Sequence, residues 1–164
     1  MIVRAAALAA LLALPGAARA CEVALLFALD TSASVDRTEY GLQRDGLAEA
    51  LTDPAVARVV AAAPGGVALA AYEWSGRHQQ TVIAPWTPVA DSTALAAFAN
   101  RIRATARTHE EFPTALGYAL GYGAGLMRRA PPCRRQVIDV SGDGVNNDGF
   151  GPAAAYREFP FVGV

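Results

Sequence analysis

The segment Asp30-Thr31-Ser32-Ala33-Ser34 sets one carboxylate and two hydroxyls at every second position, directly after the apolar run Val23 to Leu29. An apolar run of this length reads as a buried strand, so these oxygens emerge on the turn at its end. Two further pieces match them. Thr114 precedes a helical stretch, and Asp143 lies in the turn Ser141-Gly142-Asp143-Gly144. Magnesium takes near-octahedral oxygen coordination and usually keeps some of its water. Two carboxylates neutralise a dication, three hydroxyls add oxygens without adding charge, and a position is left for water or an external carboxylate. These residues read as a divalent-cation site, for Mg²⁺ or Mn²⁺, with Asp30, Ser32, Ser34, Thr114 and Asp143 as metal ligands. No catalytic residue is assigned.

Each position has a plainer role to set beside that one. Ser34 is also a helix-cap candidate, and Thr108 in the preceding polar loop rivals Thr114. Glu73 and Asp139 are candidates for supporting the ligands from behind. Asp139 falls within an apolar strand, where a buried carboxylate needs a partner. Glu73 ends a strand, and the alternative there is an ordinary exposed carboxylate. Asn146, Asn147 and Asp148 read as turn formers, Trp74 and Trp86 as packing residues. His78 and His109 have no zinc spacing and read as surface residues.

Strand and helix signals alternate along the chain. Strands are expected at Glu22 to Leu29, Val67 to Trp74, Gln80 to Ala84 and Gln136 to Val140. The second and third, joined by Ser75-Gly76-Arg77, read as an antiparallel hairpin at one edge. Asp36-Arg37-Thr38-Glu39 has the form of a capping box that opens a helix. Further helices are expected over Ala55 to Ala63, Ser92 to Arg103, Thr114 to Met127 and Pro152 to Glu158. Pro85 and Pro88 assign their segment to a loop or an edge. Gly117, Gly121 and Gly125 form a stripe expected to pack closely on a sheet. Phe159 to Val164 reads as another strand beginning. The alternation gives an α/β fold: a Rossmann-like three-layer sandwich, its sheet mostly parallel with one antiparallel edge strand. Ligands of such sheets bind outside the carboxyl ends of the strands, the edge shared by all five oxygen residues.

Residues 1–20 read as a signal peptide: Arg4, the apolar stretch Ala5 to Leu14, then Ala18-Arg19-Ala20 as a small-x-small cleavage site. The apolar stretch is too short to span a bilayer. The expected location is therefore periplasmic or secreted, with no transmembrane segment after cleavage. A lipid anchor on Cys21 is the alternative, though Ala18 and Arg19 fit a lipidation box poorly. Residues 21–164 make one domain. Two of the 14 basic residues, Arg4 and Arg19, fall in the leader, leaving 12 against 15 acidic ones. That balance gives no basic patch of the kind nucleic acid requires. Cys21 lies nine residues before Asp30 and Cys133 ten before Asp143. These offsets set both cysteines at the same end of adjacent strands, where an exported chain can bridge them. Free thiols remain the alternative.

Asp30-Thr31-Ser32-Ala33-Ser34, Thr114-Ala115-Leu116-Gly117 and Ser141-Gly142-Asp143-Gly144, in that order, resemble the three parts of a metal-ion-dependent adhesion site. That site belongs to von Willebrand factor type A domains, and the resemblance runs from Glu22 to Val164. Glu73-Trp74-Ser75-Gly76, Pro85-Trp86-Thr87 and Asp139 to Asn147 further resemble a family of secreted proteobacterial proteins with a type A-like domain and no assigned function. The resemblance implies a six-stranded Rossmann-like sheet, a bound Mg²⁺ or Mn²⁺, and a protein partner whose acidic side chain completes the coordination. Against that pattern the last strand and helix are missing, and the domain is expected to be C-terminally truncated.

Three functions compete. The leading one is an exported, non-enzymatic, metal-dependent protein-binding module. The second is a Mg²⁺-dependent phosphohydrolase with Asp30 as nucleophile. Such enzymes generally place a second acid two residues on, where this chain has Ser32, and the chain contains no lysine to hold phosphate. A serine hydrolase is weaker still, since no G-x-S-x-G elbow occurs. The third is a structural envelope domain with a vestigial site.

Overall fold

The computed structural model describes residues 21–161 and 163–164. The expected signal peptide therefore lies outside the described residues. Four strands form one sheet in the order β3-β2-β1-β4. They are β1 (Cys21–Asp30), β2 (Val67–Trp74), β3 (Gln80–Val89) and β4 (Cys133–Val140). β1 runs parallel to both β2 and β4, and β3 is antiparallel to β2. The described residues thus hold a mostly parallel sheet with an antiparallel edge.

Side chains of a strand alternate between the two faces of its sheet, and here both faces are buried. Phe27, Leu29, Leu69 and Ala71 pack against α1 (Arg37–Thr52), α2 (Pro54–Ala62) and α3 (Ser92–Arg103). Leu26, Ala28, Ala70, Tyr72 and Trp74 pack against α4 (Leu116–Met127). Two buried faces explain why β1 is nearly continuous in apolar residues. The last helix, α5 (Pro152–Glu158), lies against α4. Asp36 caps α1 through Thr38 N and Glu39 N, and the Glu39 side chain returns the bond to Asp36 N.

Several elements depart from the expectation. β3 continues through Pro85 and Pro88 to Val89. It is an edge strand and bulged against β2, so the missing N–H groups cost the ladder little. β4 starts at Cys133, three residues early. α4 starts at Leu116, leaving Thr114 ahead of the helix. Of the glycine stripe, Gly117 and Gly121 meet the C-terminal segment and not the sheet, and Gly125 faces open space. A Cβ on Gly117 would overlap the Phe150 carbonyl, and one on Gly121 would come 2.7 Å from the Phe159 ring. The glycine that meets the sheet is Gly123, whose Cβ would lie 2.8 Å from the Tyr72 hydroxyl.

Phe159 to Val164 forms no strand among the described residues. Its amides are taken locally: Phe159 N–H bonds the Ala155 carbonyl, Phe161 N–H that of Phe159, and Val164 N–H that of Phe161. Among the described residues β4 pairs with β1 alone, and Asp139 is exposed where burial was expected. At the opposite end from Asp30, Cys21 and Cys133 are register partners with Cα atoms 4.4 Å apart and their sulfurs joined. Arg134 pairs with Glu22 beside them.

Candidate metal centre

Two strand ends and the segment ahead of α4, which carries Thr114, build the centre. Asp30 closes β1, the turn through Ser34 leads toward α1, and the segment after β4 carries Gly142, Asp143 and Gly144. Asp30, Thr31, Ser32 and Thr114 are buried, whereas Ser34 and Asp143 are exposed. Asp30 Oδ1 accepts the Ser32 amide at 2.7 Å, which folds the turn back over the carboxylate. The hydroxyls form a chain: Thr114 Oγ1 donates to Ser32 Oγ at 3.2 Å, and Ser32 Oγ lies 3.1 Å from Ser34 Oγ. Ser34 Oγ donates to Asp143 Oδ1 at 2.8 Å. The five residues named from the sequence therefore stand in one cluster, spanning positions 30 to 143.

Glycine supplies the remaining room. A Cβ on Gly142 would lie 2.9 Å from Asp30 Oδ2 and 3.3 Å from Trp74 Cζ2; one on Gly144 would lie 3.6 Å from Ser34 Oγ and 3.7 Å from Thr114 Oγ1. Asp30 Oδ2 is buried and has no hydrogen-bond partner. Burial pushes the Asp30 carboxyl above the usual range, against the pull of its bonds to Ser32, and the charge of Asp143 adds to the rise. A dication would supply what this carboxylate lacks. The all-oxygen donor set suits a hard ion such as Mg²⁺. No three His, Cys, Asp or Glu side chains gather as a metal cluster among the described residues, so hydroxyls would have to provide most of the donors to an ion held here.

A second network holds the turn from below. Arg107 Nη2 donates to the carbonyls of Thr31 at 3.1 Å, Ser32 at 3.0 Å and Val35 at 2.8 Å, and Nε donates to His109 O at 2.8 Å. The guanidinium sits 5.6 Å from the centre of the Tyr40 ring. Tyr40 donates its hydroxyl to Glu73 Oε1 at 2.5 Å. Burial first, then the Glu73 carboxylate, push the Tyr40 phenol upward, so it remains a donor. Glu73 Oε2 accepts both the amide and the hydroxyl of Thr108, at 2.9 and 2.6 Å. Glu73 is thus fully buried and satisfied, contacts none of the five cluster residues by hydrogen bond, and occupies the rival Thr108. Asp139 makes no hydrogen bond to the cluster; it lies on β4 in register with Phe27.

Other supports escaped the sequence. Asn147 Oδ1 accepts the Thr114 amide, and the amides of Asn147 and Asp148 both donate to Thr114 O. Read from the sequence as turn formers, these residues fix Thr114. Gln43 Nε2 reaches Asp30 O at 3.4 Å, and Ser141 Oγ donates to Gln43 Oε1 at 2.8 Å, tying α1 to both strand ends. Nothing local marks Arg107 or Gln43: their partners are mostly main-chain carbonyls far away in sequence.

Residues 20–164 match the family model described as "Protein of unknown function (DUF1194)". The chain belongs to this family. No curated protein matches it. Among solved structures it is similar to proximal thread matrix protein 1 from the mussel byssus, with a TM-score of 0.66 and 16% identity over 90% of this chain and 38% of that one. Another structure of that protein, TM-score 0.65 and 15% identity over the same shares, has a zinc-occupied MIDAS motif. A von Willebrand factor type A protein from Catenulispora acidiphila aligns with a TM-score of 0.60 at 20% identity, over 83% of this chain and 30% of that one. The von Willebrand domain of the pilus tip protein Mfa5 from Porphyromonas gingivalis aligns at 0.51 and 17%, over 77% and 39%. The chain spans less than two fifths of each of these proteins. At such identities the likeness establishes the fold, which is that of a von Willebrand factor type A domain.

Proposed function

We propose that this chain is an exported, metal-dependent protein-binding module. Asp30, Ser32, Ser34, Thr114 and Asp143 hold Mg²⁺ or Mn²⁺, directly or through water, and an acidic side chain of the partner completes the coordination. The observation that carries this reading is the buried, unpartnered Asp30 Oδ2 beside a chain of three hydroxyls that ends on Asp143. A bound dication neutralises the carboxylates and supplies the electrophilic position for the incoming acid. The protein's part is to present the oxygens on a turn fixed by Arg107 and on a Thr114 fixed by Asn147. The pilus-tip and byssus origin of the similar structures, and the zinc-occupied motif in one of them, support a binding role.

Arg107, the cation nearest this turn through its bonds, spends its donors on main-chain carbonyls, which argues against a phosphate pocket around Asp30. A pull-down from envelope extract with the full chain tests the proposal. Wild type in Mg²⁺ is expected to retain a partner that chelator or Asp30→Ala releases. Metal-dependent ester hydrolysis that is lost in Asp30→Asn would instead restore the phosphohydrolase reading.

A further inference from the structure

Beside the candidate metal centre lies a cavity of about 220 Å³, between α4, α5 and the segment that leaves β4. Trp74, Leu116, Val140, Gly142, Gly144 and Tyr156 are among its walls, and no charged side chain lines it. Its volume falls below the roughly 300–1,000 Å³ of small-molecule sites. It suits one apolar side chain rather than a whole ligand. Gly142 and Gly144 are shared walls: the first abuts Asp30 Oδ2, and the second abuts Ser34 Oγ and Thr114 Oγ1.

The second observation is an orphaned donor. Trp74 is 1% exposed, and its indole Nε1 has no hydrogen-bond partner. Its Cζ2 is the ring atom that approaches Gly142, and Cζ2 is bonded to the carbon that carries Nε1. The N–H edge of the ring therefore borders the same glycine as Asp30 Oδ2. Two buried polar atoms, one acceptor and one donor, lack partners on either side of a residue without a side chain. Buried polar groups are seldom left unmatched in native proteins, so each such atom calls for an explanation.

We infer that this cavity is a specificity subsite that takes an apolar residue adjacent to the partner's acid, with Trp74 Nε1 donating to a carbonyl of the bound segment. The inference rests on the metal-dependent capture proposed above. The acid goes to the ion, the neighbouring Leu- or Phe-like side chain enters the cavity, and Tyr156, which is 60% exposed, covers it from α5. The absence of charged lining residues disfavours a basic or acidic neighbour.

The test uses the full chain and blocked aspartyl dipeptides in both residue orders, pairing Asp with Gly, Leu, Phe or Lys. Binding is read from tryptophan emission with and without Mg²⁺, and Mg²⁺ affinity is measured alone by calorimetry. The Leu and Phe peptides are expected to bind roughly tenfold tighter than the Gly peptide, the scale of burying one apolar side chain. Tyr156→Ala is expected to erase that preference and leave Mg²⁺ affinity unchanged. Trp74→Phe, which keeps an aromatic ring but removes the N–H donor and the reporting indole, is followed by calorimetry and is expected to weaken all peptides together. Equal, Mg²⁺-dependent binding of the Gly, Leu and Phe peptides would overturn the subsite and leave the metal reading standing. Mg²⁺ binding with no peptide binding would overturn acid capture and the subsite together.

Discussion

Asp30 carries a buried carboxylate oxygen that no protein group satisfies, and leaving such a group ionised in a folded protein is costly. Its folded pKa is raised by burial, so the folded domain holds this proton more tightly than the unfolded chain does. For a carboxyl raised on folding, the native state binds more protons than the unfolded one, and stability falls as pH rises through its range. Asp30→Asn keeps an acceptor for the Ser32 amide but carries no charge. Without metal it is expected to melt above wild type at pH 7, with the gap closing as the pH drops to where Asp30 is protonated. A melting series over pH checks this, and a gap that widens on acidification would contradict it. Gly142→Ala sets a methyl 2.9 Å from Asp30 Oδ2 and is expected to lower Mg²⁺ affinity at least tenfold while the domain stays folded. The gathering of the oxygen residues was legible because their types and spacing are the signal. Asp139 was misjudged because the burial of a strand residue depends on neighbours that its own sequence does not specify.

At the scale of elements, the turn from β1 to α1 is held by one guanidinium that bonds three carbonyls. Hydrogen bonds from a charged donor are worth about 1.5–3 kcal/mol each at most, so Arg107→Gln is expected to cost about that much stability in a denaturant titration. It is also expected to weaken Mg²⁺ binding, because Ser32 and Ser34 ride on the turn. Arg107→Lys supplies charge without the fork and is expected to recover little of either. Full recovery by lysine would reduce Arg107 to a general charge effect. Helix starts were legible where a side chain caps them, as at Asp36. The end of β3 was not, because proline forbids a central strand yet is tolerated on a bulged edge. The glycine stripe on α4 shows the same limit: its spacing announced a close approach, and only the path of Phe150 and Phe159 over the helix decided what approaches.

Across the whole molecule, the parallel strands β1, β2 and β4 send their carboxyl ends to one edge, where the oxygen residues gather, and their amino ends to the other. At about 3.3 Å per residue, the nine steps of β1 set the Cys21–Cys133 bridge roughly 30 Å from Asp30. The bridge closes a sequence separation of 112 residues, and removing it is expected to cost about 2–5 kcal/mol. Cys21→Ser with Cys133→Ser should therefore lower the melting temperature and leave Mg²⁺ affinity within about twofold, since the affected end of the sheet is remote from the site. The α/β class, the parallel core and the shared edge were legible from alternation alone, because strand direction follows from the crossovers. The most direct test is calorimetric titration of the full chain with Mg²⁺ and Mn²⁺. Wild type is expected to bind one ion, while Asp30→Ala and Asp143→Ala, folded by circular dichroism, give no binding heat. Unchanged affinity in both folded variants would contradict the assignment of these residues as metal ligands.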